Sequence, residues 1–242
     1  MTGRVTISEV DGIRYLHLGT EWIQGAMRIA DPLHLELEYI QQMMVWWLFE
    51  DEPKHIVQLG LGAGSLTRFA YHYFPDAQVT AVELNPDVVR AGHALFALPQ
   101  PDARLALRIE CAARWAAAQP AHSVDSLQLD LYHANSYAPA LQSPEFYQDC
   151  ARVLTDQGML TVNLLGTPAV HRINLERLEA VFPAVVWLPE SHDGNVVALA
   201  FKDPPSIDFS ELELRAQQIQ LVSGLPAQSW VQGLLRWMEH YT

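Results

Sequence analysis

The chain opens with short runs in which apolar and β-branched residues are frequent, separated by turn residues. Runs at 4–10 and 13–18 flank Asp11-Gly12, a dipeptide typical of two-residue hairpin turns, and a third run covers 22–29. This pattern predicts three short strands. Because so small a group is not stable by itself, we expect residues 1–30 to form a β appendage that packs on a larger domain.

At Asp31-Pro32 the pattern changes from strand to helix. Aspartate is a favoured N-cap, and proline is favoured at the first helical position. The apolar residues that follow recur at helical spacing, so the sequence predicts one helix from Asp31 to about Phe49. Its broad apolar face comprises Leu33, Leu37, Ile40, Met44 and Trp47.

From His55 onward, apolar runs of strand length alternate with helical segments. Because strands joined by helices form right-handed βαβ units, this order predicts a doubly wound, mostly parallel, Rossmann-like α/β sheet. The runs are apolar at nearly every position, as expected for strands buried on both faces. A hairpin around Asp193-Gly194 is predicted to add an antiparallel strand at the end of the sheet. The five strands before it are predicted at 55–60, 78–84, 104–109, 124–131 and 158–165.

Proline marks the remaining boundaries. A capping residue followed by proline predicts three helix starts, at Asn85-Pro86, Ser143-Pro144 and Thr167-Pro168. We predict that the α/β domain covers residues 31–204 and that a C-terminal helical extension covers 205–242. In the extension, Ser210 is the predicted cap of the first helix, and the second begins near Pro226. An apolar stripe on the second helix is predicted to pack on the domain, with a dimer interface as the alternative. The stripe comprises Trp230, Leu234, Trp237 and Tyr241.

Composition narrows the class of protein. The chain has 242 residues, half of them apolar, a formal net charge of −13 and two cysteines. The apolar content predicts a folded chain rather than a disordered one. The acidic balance argues against a nucleic-acid partner and is compatible with a cationic substrate. Because cysteines are few, and neither a signal peptide nor a membrane-length apolar run is visible, we expect a cytoplasmic protein without membrane association.

A glycine-rich loop follows the first predicted parallel strand. Gly60, Gly62 and Gly64 would let the backbone approach a ligand at the N-terminus of the next helix, where N–H groups are free. Ser65 occupies the last position of the dinucleotide fingerprint, where glycine is usual. Glu83 ends the second strand, and a carboxylate there can accept two hydrogen bonds from a ribose diol. The loop and the acid together predict a nucleoside site.

Asp130 ends the fourth predicted strand. Ligands of open α/β sheets bind outside the carboxyl ends of the strands, so Asp130 is predicted to face the same crevice as Gly62 and Glu83. Asp130 is a candidate general base or anchor for a cation, and a capping or loop acid is the alternative. The nucleophile-elbow, P-loop and Cys-x-x-Cys patterns do not occur, and no metal site is expected.

On these residues the chain resembles the spermidine synthase (polyamine aminopropyltransferase) family, within the class I S-adenosylmethionine-dependent transferase fold. The resemblance covers about residues 4–202. It implies a seven-stranded sheet with a small N-terminal β domain, a decarboxylated S-adenosylmethionine donor, a polyamine acceptor and often a homodimer. It rests on the strands ending in Gln24, the segment 31–39, and the motifs GLGAG, AVELNP, VDSLQLDLY and SPEFYQDCARVLTDQGML.

The resemblance also implies roles for single residues. Glu83 matches the acid that binds the donor's ribose, and Asp130 matches the acid that helps to activate the attacking amine. Gln24 and Tyr39 match side chains that line the donor and acceptor pockets. The glycine loop matches the backbone cradle of the donor.

Three positions depart from the family pattern. Ala63 stands where the family has an aspartate that binds the donor's ammonium group. Cys111 stands where an aspartate receives the adenine amino group, and His133 stands where a second acceptor-binding aspartate is expected. A buried ammonium that loses its carboxylate loses about 1.5–3 kcal/mol. The nucleoside half of the site is therefore expected to be better preserved than a degenerate polyamine half.

Three functions follow from these observations. The first is transfer of an aminopropyl group from the decarboxylated donor to a small amine, with Asp130 as base or cation anchor. The second is methyl transfer, because Ala63 removes a charge that would repel the carboxylate of intact S-adenosylmethionine. The third is a non-catalytic nucleoside-binding or interaction protein. Asp130 with Glu83 favours the first two, the missing acids favour the last two, and the overall resemblance places aminopropyl transfer first.

Overall fold

The structure is a computed structural model, and it describes residues 3–132, 139–191 and 194–241. Two sheets are present in these ranges, one of three strands and one of seven. The α/β class and the seven-stranded, mostly parallel sheet that the sequence predicts are confirmed. No helix in the described ranges is long and apolar enough to cross a membrane.

The small sheet is formed by the three predicted N-terminal strands. Strands β1 (Val5–Val10), β2 (Ile13–Leu18) and β3 (Ile23–Arg28) pair antiparallel in that order. Leu16 and Met27 are buried in a cluster with residues of the glycine loop and the helix that follows Glu83. The sheet thus obtains its hydrophobic core from the larger domain, as its size predicts. The domain boundaries at 30 and 204 stay a prediction.

The large sheet follows the predicted strands closely. Five of its strands pair parallel. Asn195–Phe201 pairs antiparallel with the last of these five, and Ala184–Trp187 pairs antiparallel with Asn195–Phe201. The antiparallel strand Asn195–Phe201 lies between Leu154–Leu165 and Ala184–Trp187, so Ala184–Trp187 is the edge strand. The predicted turn at Asp193 lies outside the described residues. The strands are β4 (His55–Leu59), β5 (Gln78–Glu83), β6 (Leu105–Ile109), β7 (Val124–Leu129), β8 (Leu154–Leu165), β9 (Ala184–Trp187) and β10 (Asn195–Phe201).

The direction of winding reverses at β4. The strand order is β6-β5-β4-β7-β8-β10-β9, so β5 extends the sheet to one side of β4 and β7 extends it to the other. Such a reversal opens a crevice at the carboxyl ends of the two central strands. Gly60 follows β4 and Asp130 follows β7, so both residues lie at this crevice.

Two glycines allow the loop after β4 to approach other backbone. Gly60 has a φ of +98°, and a side chain there would overlap the carbonyl oxygen of Asp130. Gly62 has a φ of +51°, and a Cβ there would lie 2.7 Å from the carbonyl oxygen of Gln24. Both dihedrals favour glycine. The loop therefore packs against β7 on one side and against β3 on the other.

The helices fill the connections between the strands, and their caps largely agree with prediction. Asn85 accepts a hydrogen bond from the backbone N–H of Asp87 at 3.0 Å, and Ser143 accepts one from Phe146 at 3.2 Å. Thr167 precedes its helix without a side-chain capping bond. The helices are α1 (Glu38–Gln42), α2 (Ser65–Tyr73), α3 (Pro86–Leu95), α4 (Ala112–Ala118), α5 (Pro144–Val153), α6 (Pro168–Glu179), α7 (Phe209–Ser223) and α8 (Ala227–Tyr241), with 3₁₀ turns at Val45–Leu48 and Pro139–Gln142.

The predicted helix from Asp31 to Phe49 is wrong. Residues 31–37 are not helical, and only α1 and a 3₁₀ turn occupy the rest. The carbonyl of Pro32 accepts a hydrogen bond from the Arg68 side chain at 2.9 Å, and that of Leu35 accepts one from the Gln41 side chain at 2.6 Å. Tertiary contacts thus occupy carbonyl groups that a continuous helix would need, and they override the capping signal.

The C-terminal helices pack on the domain. Asp208, not Ser210, caps α7, because its carboxylate accepts from the backbone N–H of Ser210 at 2.8 Å. On α8, Trp230 and Leu234 are buried in the main core. The ring of Trp237 meets that of Trp187 edge-on at 5.3 Å. The predicted packing of the stripe is confirmed for these residues, and the side chain of Tyr241 lies outside the described part.

The contact between Gly60 and Asp130 gives a stability prediction. Gly60→Ala is expected to destabilise the fold by about 3 kcal/mol or more, because the new methyl group overlaps a backbone oxygen at an unfavourable φ. The matched control is Gly12→Ala in the β1–β2 turn, where φ is +79° and nothing lies within 4 Å. That variant should lose about 1 kcal/mol through φ alone. Urea denaturation of both variants measures the difference, and equal losses would contradict the close contact.

Candidate active site

A cleft of about 1450 Å³ lies at the carboxyl ends of β4, β5 and β7. Residues from the glycine loop form its floor, and residues from the end of the small sheet and from the 36–39 segment also line it. Because three separate parts of the chain contribute, the cleft exists only in the folded domain. Its position at the reversal of strand order is the one that open α/β sheets use for ligands.

Glu83, on the donor side of the predicted site, is held by backbone N–H groups. Its two carboxylate oxygens accept from the N–H of Leu61 at 3.1 Å and from that of Asn85 at 2.8 Å. Burial raises the pKa of Glu83 above its usual value, and the backbone N–H donors partly offset this. Each carboxylate oxygen keeps a second lone-pair direction, so Glu83 is still able to accept bonds from a diol.

Asp130 is fixed through both of its carboxylate oxygens. Oδ1 accepts from the Asn163 side-chain amide at 2.9 Å, and Oδ2 accepts from the Tyr39 hydroxyl at 3.3 Å. Burial raises the pKa of Asp130, whereas the bonds from Asn163 and Tyr39 lower it. Burial also raises the pKa of Tyr39, so its hydroxyl stays a donor to Asp130. The group is a desolvated carboxylate aimed into the cleft, with the properties of a base or a cation anchor.

The cleft is lined by acids. Arginine and lysine do not occur among the lining residues in the described part of the chain. Glu36 is paired with Arg28 at 3.1 Å, and Arg28 does not line the cleft. The remaining carboxylates give the cleft a negative potential that favours cations and disfavours anions. The acids that line it are Glu21, Glu36, Glu38, Glu83, Glu110 and Asp130.

Most of the residues singled out from the sequence meet in this cleft. Two do not line it: Gly64 caps α2 with a φ of +71°, and Ala63 is only 2% exposed. His133 lies outside the described residues. Those that line it are Gln24, Tyr39, Gly60, Gly62, Glu83, Cys111 and Asp130.

Ala63 is packed against the small sheet. A Cβ on Gly25 would lie 2.7 Å from the Cβ of Ala63, so the two backbones are in close contact. Ala63 also borders a small cavity of about 20 Å³ next to the cleft, and Gln24, Glu36 and Asp130 line both. That volume is about that of one water molecule. A role of Ala63 in choosing the donor stays a prediction.

Asn163 and Tyr132 were missed by the sequence analysis. Asn163 is 2% exposed, lies in β8 and holds Asp130. The Tyr132 hydroxyl donates to the carbonyl of Asn163 at 2.9 Å and accepts from the N–H of Leu165 at 2.7 Å. It therefore fastens the residues after β7 to the end of β8. A signal for Asn163 existed, since it is the polar residue of the apolar run at positions 162–165, at the carboxyl end of the strand.

Comparison with known proteins agrees with this geometry. No family model matches the sequence. Over 223 residues the chain is 36% identical to a polyamine aminopropyltransferase of Chromobacterium violaceum, covering 91% of this chain and 85% of that protein. Among solved structures, a probable spermidine synthase from Corynebacterium glutamicum has a TM-score of 0.76 at 20% identity, covering 94% of this chain and 88% of that one. Human methyltransferase-like protein 13 in complex with SAH has a TM-score of 0.68 at 23% identity, covering 80% of this chain and 91% of that one.

The fold, with its crevice at the reversal of strand order, is that of the spermidine synthases and class I methyltransferases. Within this class, the 36% sequence identity reported above points to one family. The chain belongs to the polyamine aminopropyltransferase family. The resemblance given by the motifs is therefore confirmed.

The environment of Asp130 gives a prediction that needs no ligand. Because the folded state raises the pKa of Asp130, ionised Asp130 costs stability as the pH rises from the unfolded pKa of about 3.9 through the folded pKa. Asp130→Asn removes that cost and keeps an acceptor for Asn163. Its urea midpoint at pH 7 is expected to lie above that of the native protein, and the gain should shrink toward pH 3.

The control for this variant is Asp125→Asn, on the strand that precedes Asp130. Asp125 accepts bonds from the backbone N–H groups of Lys54 and His55 and from the Thr155 hydroxyl. The Asp125→Asn variant is therefore expected to be less stable than the native protein at pH 7. A fall of the urea midpoint in Asp130→Asn as large as that in Asp125→Asn would contradict the assigned environment of Asp130.

Proposed function

We propose that the protein transfers an aminopropyl group from decarboxylated S-adenosylmethionine to a primary amine of a small polyamine. The observation that carries this proposal is the acidic cleft without lysine or arginine among its described lining residues. The donor's sulfonium and ammonium groups and the acceptor's ammonium groups are all cations. Intact S-adenosylmethionine adds a carboxylate, which this cleft would repel. Membership of the family supports the same reaction.

The donor is proposed to occupy the part of the cleft beside β4 and β5. Glu83 would accept hydrogen bonds from the ribose hydroxyls, and the backbone at Gly60 and Gly62 would leave room for the donor. Gln24 and Cys111 line the same cleft and are proposed as further donor contacts. Ala63 does not line the cleft; it borders the small adjoining cavity and adds no charge to the donor side.

Asp130 is proposed to accept the proton of the attacking amine. The amine nitrogen attacks the methylene carbon next to the sulfonium, and its lone pair forms the new C–N bond. The electron pair of the C–S bond returns to sulfur, which leaves as the neutral thioether of methylthioadenosine. The proton lost by the nitrogen passes to the Asp130 carboxylate and then to water. Tyr39 would help to orient the amine, since its hydroxyl already contacts Asp130.

Methyl transfer is the second candidate. The similarity to methyltransferase-like protein 13 in complex with SAH and the uncharged Ala63 favour it. The acids of the cleft favour aminopropyl transfer, because a methyl donor would bring its carboxylate among them. The family's homodimer and a cytoplasmic location belong to the same proposal, and sedimentation of the purified protein measures the dimer directly.

The direct test of function is product identity. Purified protein given decarboxylated S-adenosylmethionine and putrescine is expected to form aminopropylated amine and methylthioadenosine, measured by mass spectrometry. Asp130→Asn should lower turnover by about 10²-fold or more, because an amide does not accept the proton. Methylated amine formed from intact S-adenosylmethionine would instead establish the second candidate. If neither product formed, the non-catalytic alternative would stand.

Nucleoside binding is tested separately with methylthioadenosine, which has no charged tail. At a hundredfold excess over its dissociation constant it adds about 2.7 kcal/mol to the free energy of unfolding. For a domain of this size that raises the melting temperature by roughly 5–10 °C. Glu83→Ala should remove most of the rise, and adenine alone should give little. A melting temperature that does not change when methylthioadenosine is added at millimolar concentration would contradict the nucleoside site.

A further inference from the structure

Asn163 has one amide atom bonded to Asp130 and the other without a partner. Its Nδ2 donates to Asp130 Oδ1 at 2.9 Å, and no donor reaches its Oδ1 in the structure of the described residues. The orientation of this amide follows from chemistry, since a carboxylate only accepts and the nitrogen must face it. The unpartnered atom is therefore the carbonyl oxygen, a hydrogen-bond acceptor.

Unpartnered buried acceptors are uncommon, and each calls for an explanation. Several other buried side chains share this feature, Thr161 and Ser126 among them. Those two lie in the interior of the sheet, whereas Asn163 lines the large cleft. Because the two heteroatoms of an amide share one carbon, Oδ1 of Asn163 lies close beside the Asp130 carboxylate. The missing donor is thus expected at the place where the acceptor's amine would react.

We propose that the carbonyl oxygen of Asn163 binds the reacting amino group of the acceptor, while its amide nitrogen holds Asp130. This inference rests on the proposed function and names a residue that orients the nucleophile. A primary ammonium carries three N–H donors. Around Asp130 the site offers three acceptors: the Asp130 carboxylate itself, the Tyr39 hydroxyl oxygen and Asn163 Oδ1.

The arrangement also explains how an amine could bind here without the second acidic residue of the family. The Tyr39 hydroxyl donates to Asp130 and keeps its oxygen lone pairs for the amine. Asn163 likewise donates to Asp130 through its amide nitrogen and keeps its carbonyl oxygen for the amine. The two neutral groups thus orient both the base and the nucleophile, and Asp130, the carboxylate among the three acceptors, takes the proton that the ammonium loses.

The experiment uses three variants of the full chain loaded with methylthioadenosine, with putrescine as the probe amine. Asn163→Leu keeps the branched heavy-atom skeleton of the side chain and has no polar atom. Asn163→Asp keeps an oxygen in place and adds a charge. Thr161→Val is the matched control, because Thr161 lies in the same strand, is 1% exposed, has an unpartnered oxygen and does not line the cleft. Calorimetry gives the dissociation constants, and steady-state rates give kcat and the pH profile.

The dissociation constant of putrescine is expected to rise about tenfold or more in Asn163→Leu, through loss of a hydrogen bond to a charged group. Thr161→Val should leave it unchanged, and methylthioadenosine should bind all three variants as it binds the native protein. In Asn163→Asp, putrescine should bind at least as tightly as in the native protein. The acid limb of its pH profile should move to higher pH, since adjacent carboxylates raise each other's pKa.

Two outcomes would overturn the inference alone. In the first, Asn163→Leu lowers kcat but leaves the dissociation constant of putrescine within about twofold of the native value. The amide would then only position Asp130. In the second, Thr161→Val weakens putrescine binding as much as Asn163→Leu, so that packing is the cause. A native protein that neither binds putrescine nor forms aminopropylated product overturns the proposed function and the inference together.

Discussion

The contact between the backbone of Gly60 and the carbonyl of Asp130 is the constraint on which the site depends. The N–H of Gly60 donates to the carbonyl of Val82 at 2.9 Å, and that of Asp130 donates to the carbonyl of Leu59 at 3.0 Å. The ends of β5, β4 and β7 are thereby tied together where the chain leaves the sheet. The glycine loop and the carboxylate consequently form one rigid unit, and a reaction between two bound molecules benefits from such fixed distances.

The charge of the cleft follows from the same architecture. Glu83 and Asp130 are buried at the carboxyl ends of their strands, and this burial raises the pKa of both carboxyl groups. The protein offsets this cost with neutral donors, which are backbone N–H groups at Glu83 and side chains at Asp130. Because arginine and lysine do not line the described part of the cleft, the negative potential remains for a ligand. A cationic donor and a cationic acceptor both gain from it, and the net charge of −13 adds long-range attraction.

Sequence patterns predicted the parts of the fold that depend on local periodicity. The strands ending at Glu83 and beside Asp130 were identified because apolar runs of strand length alternate with helices, and the topology then brings their ends together. The helix from Asp31 was wrong because Arg68, distant in sequence, binds the carbonyl of Pro32. Asn163 was missed because the sequence shows a polar residue at the end of the strand but not its partner, Asp130, which follows the neighbouring strand. Side-chain partners across strands are tertiary information that periodicity does not contain.

The claim that the cleft is built for cations is tested most directly by the relative affinity for two donors that differ in one carboxylate. Dissociation constants of decarboxylated and intact S-adenosylmethionine are measured by calorimetry on the native protein at low and at high salt. We expect the decarboxylated donor to bind at least about tenfold more tightly than the intact one, and added salt to bring the two dissociation constants closer together. Equal affinities, or tighter binding of the intact donor, would contradict it.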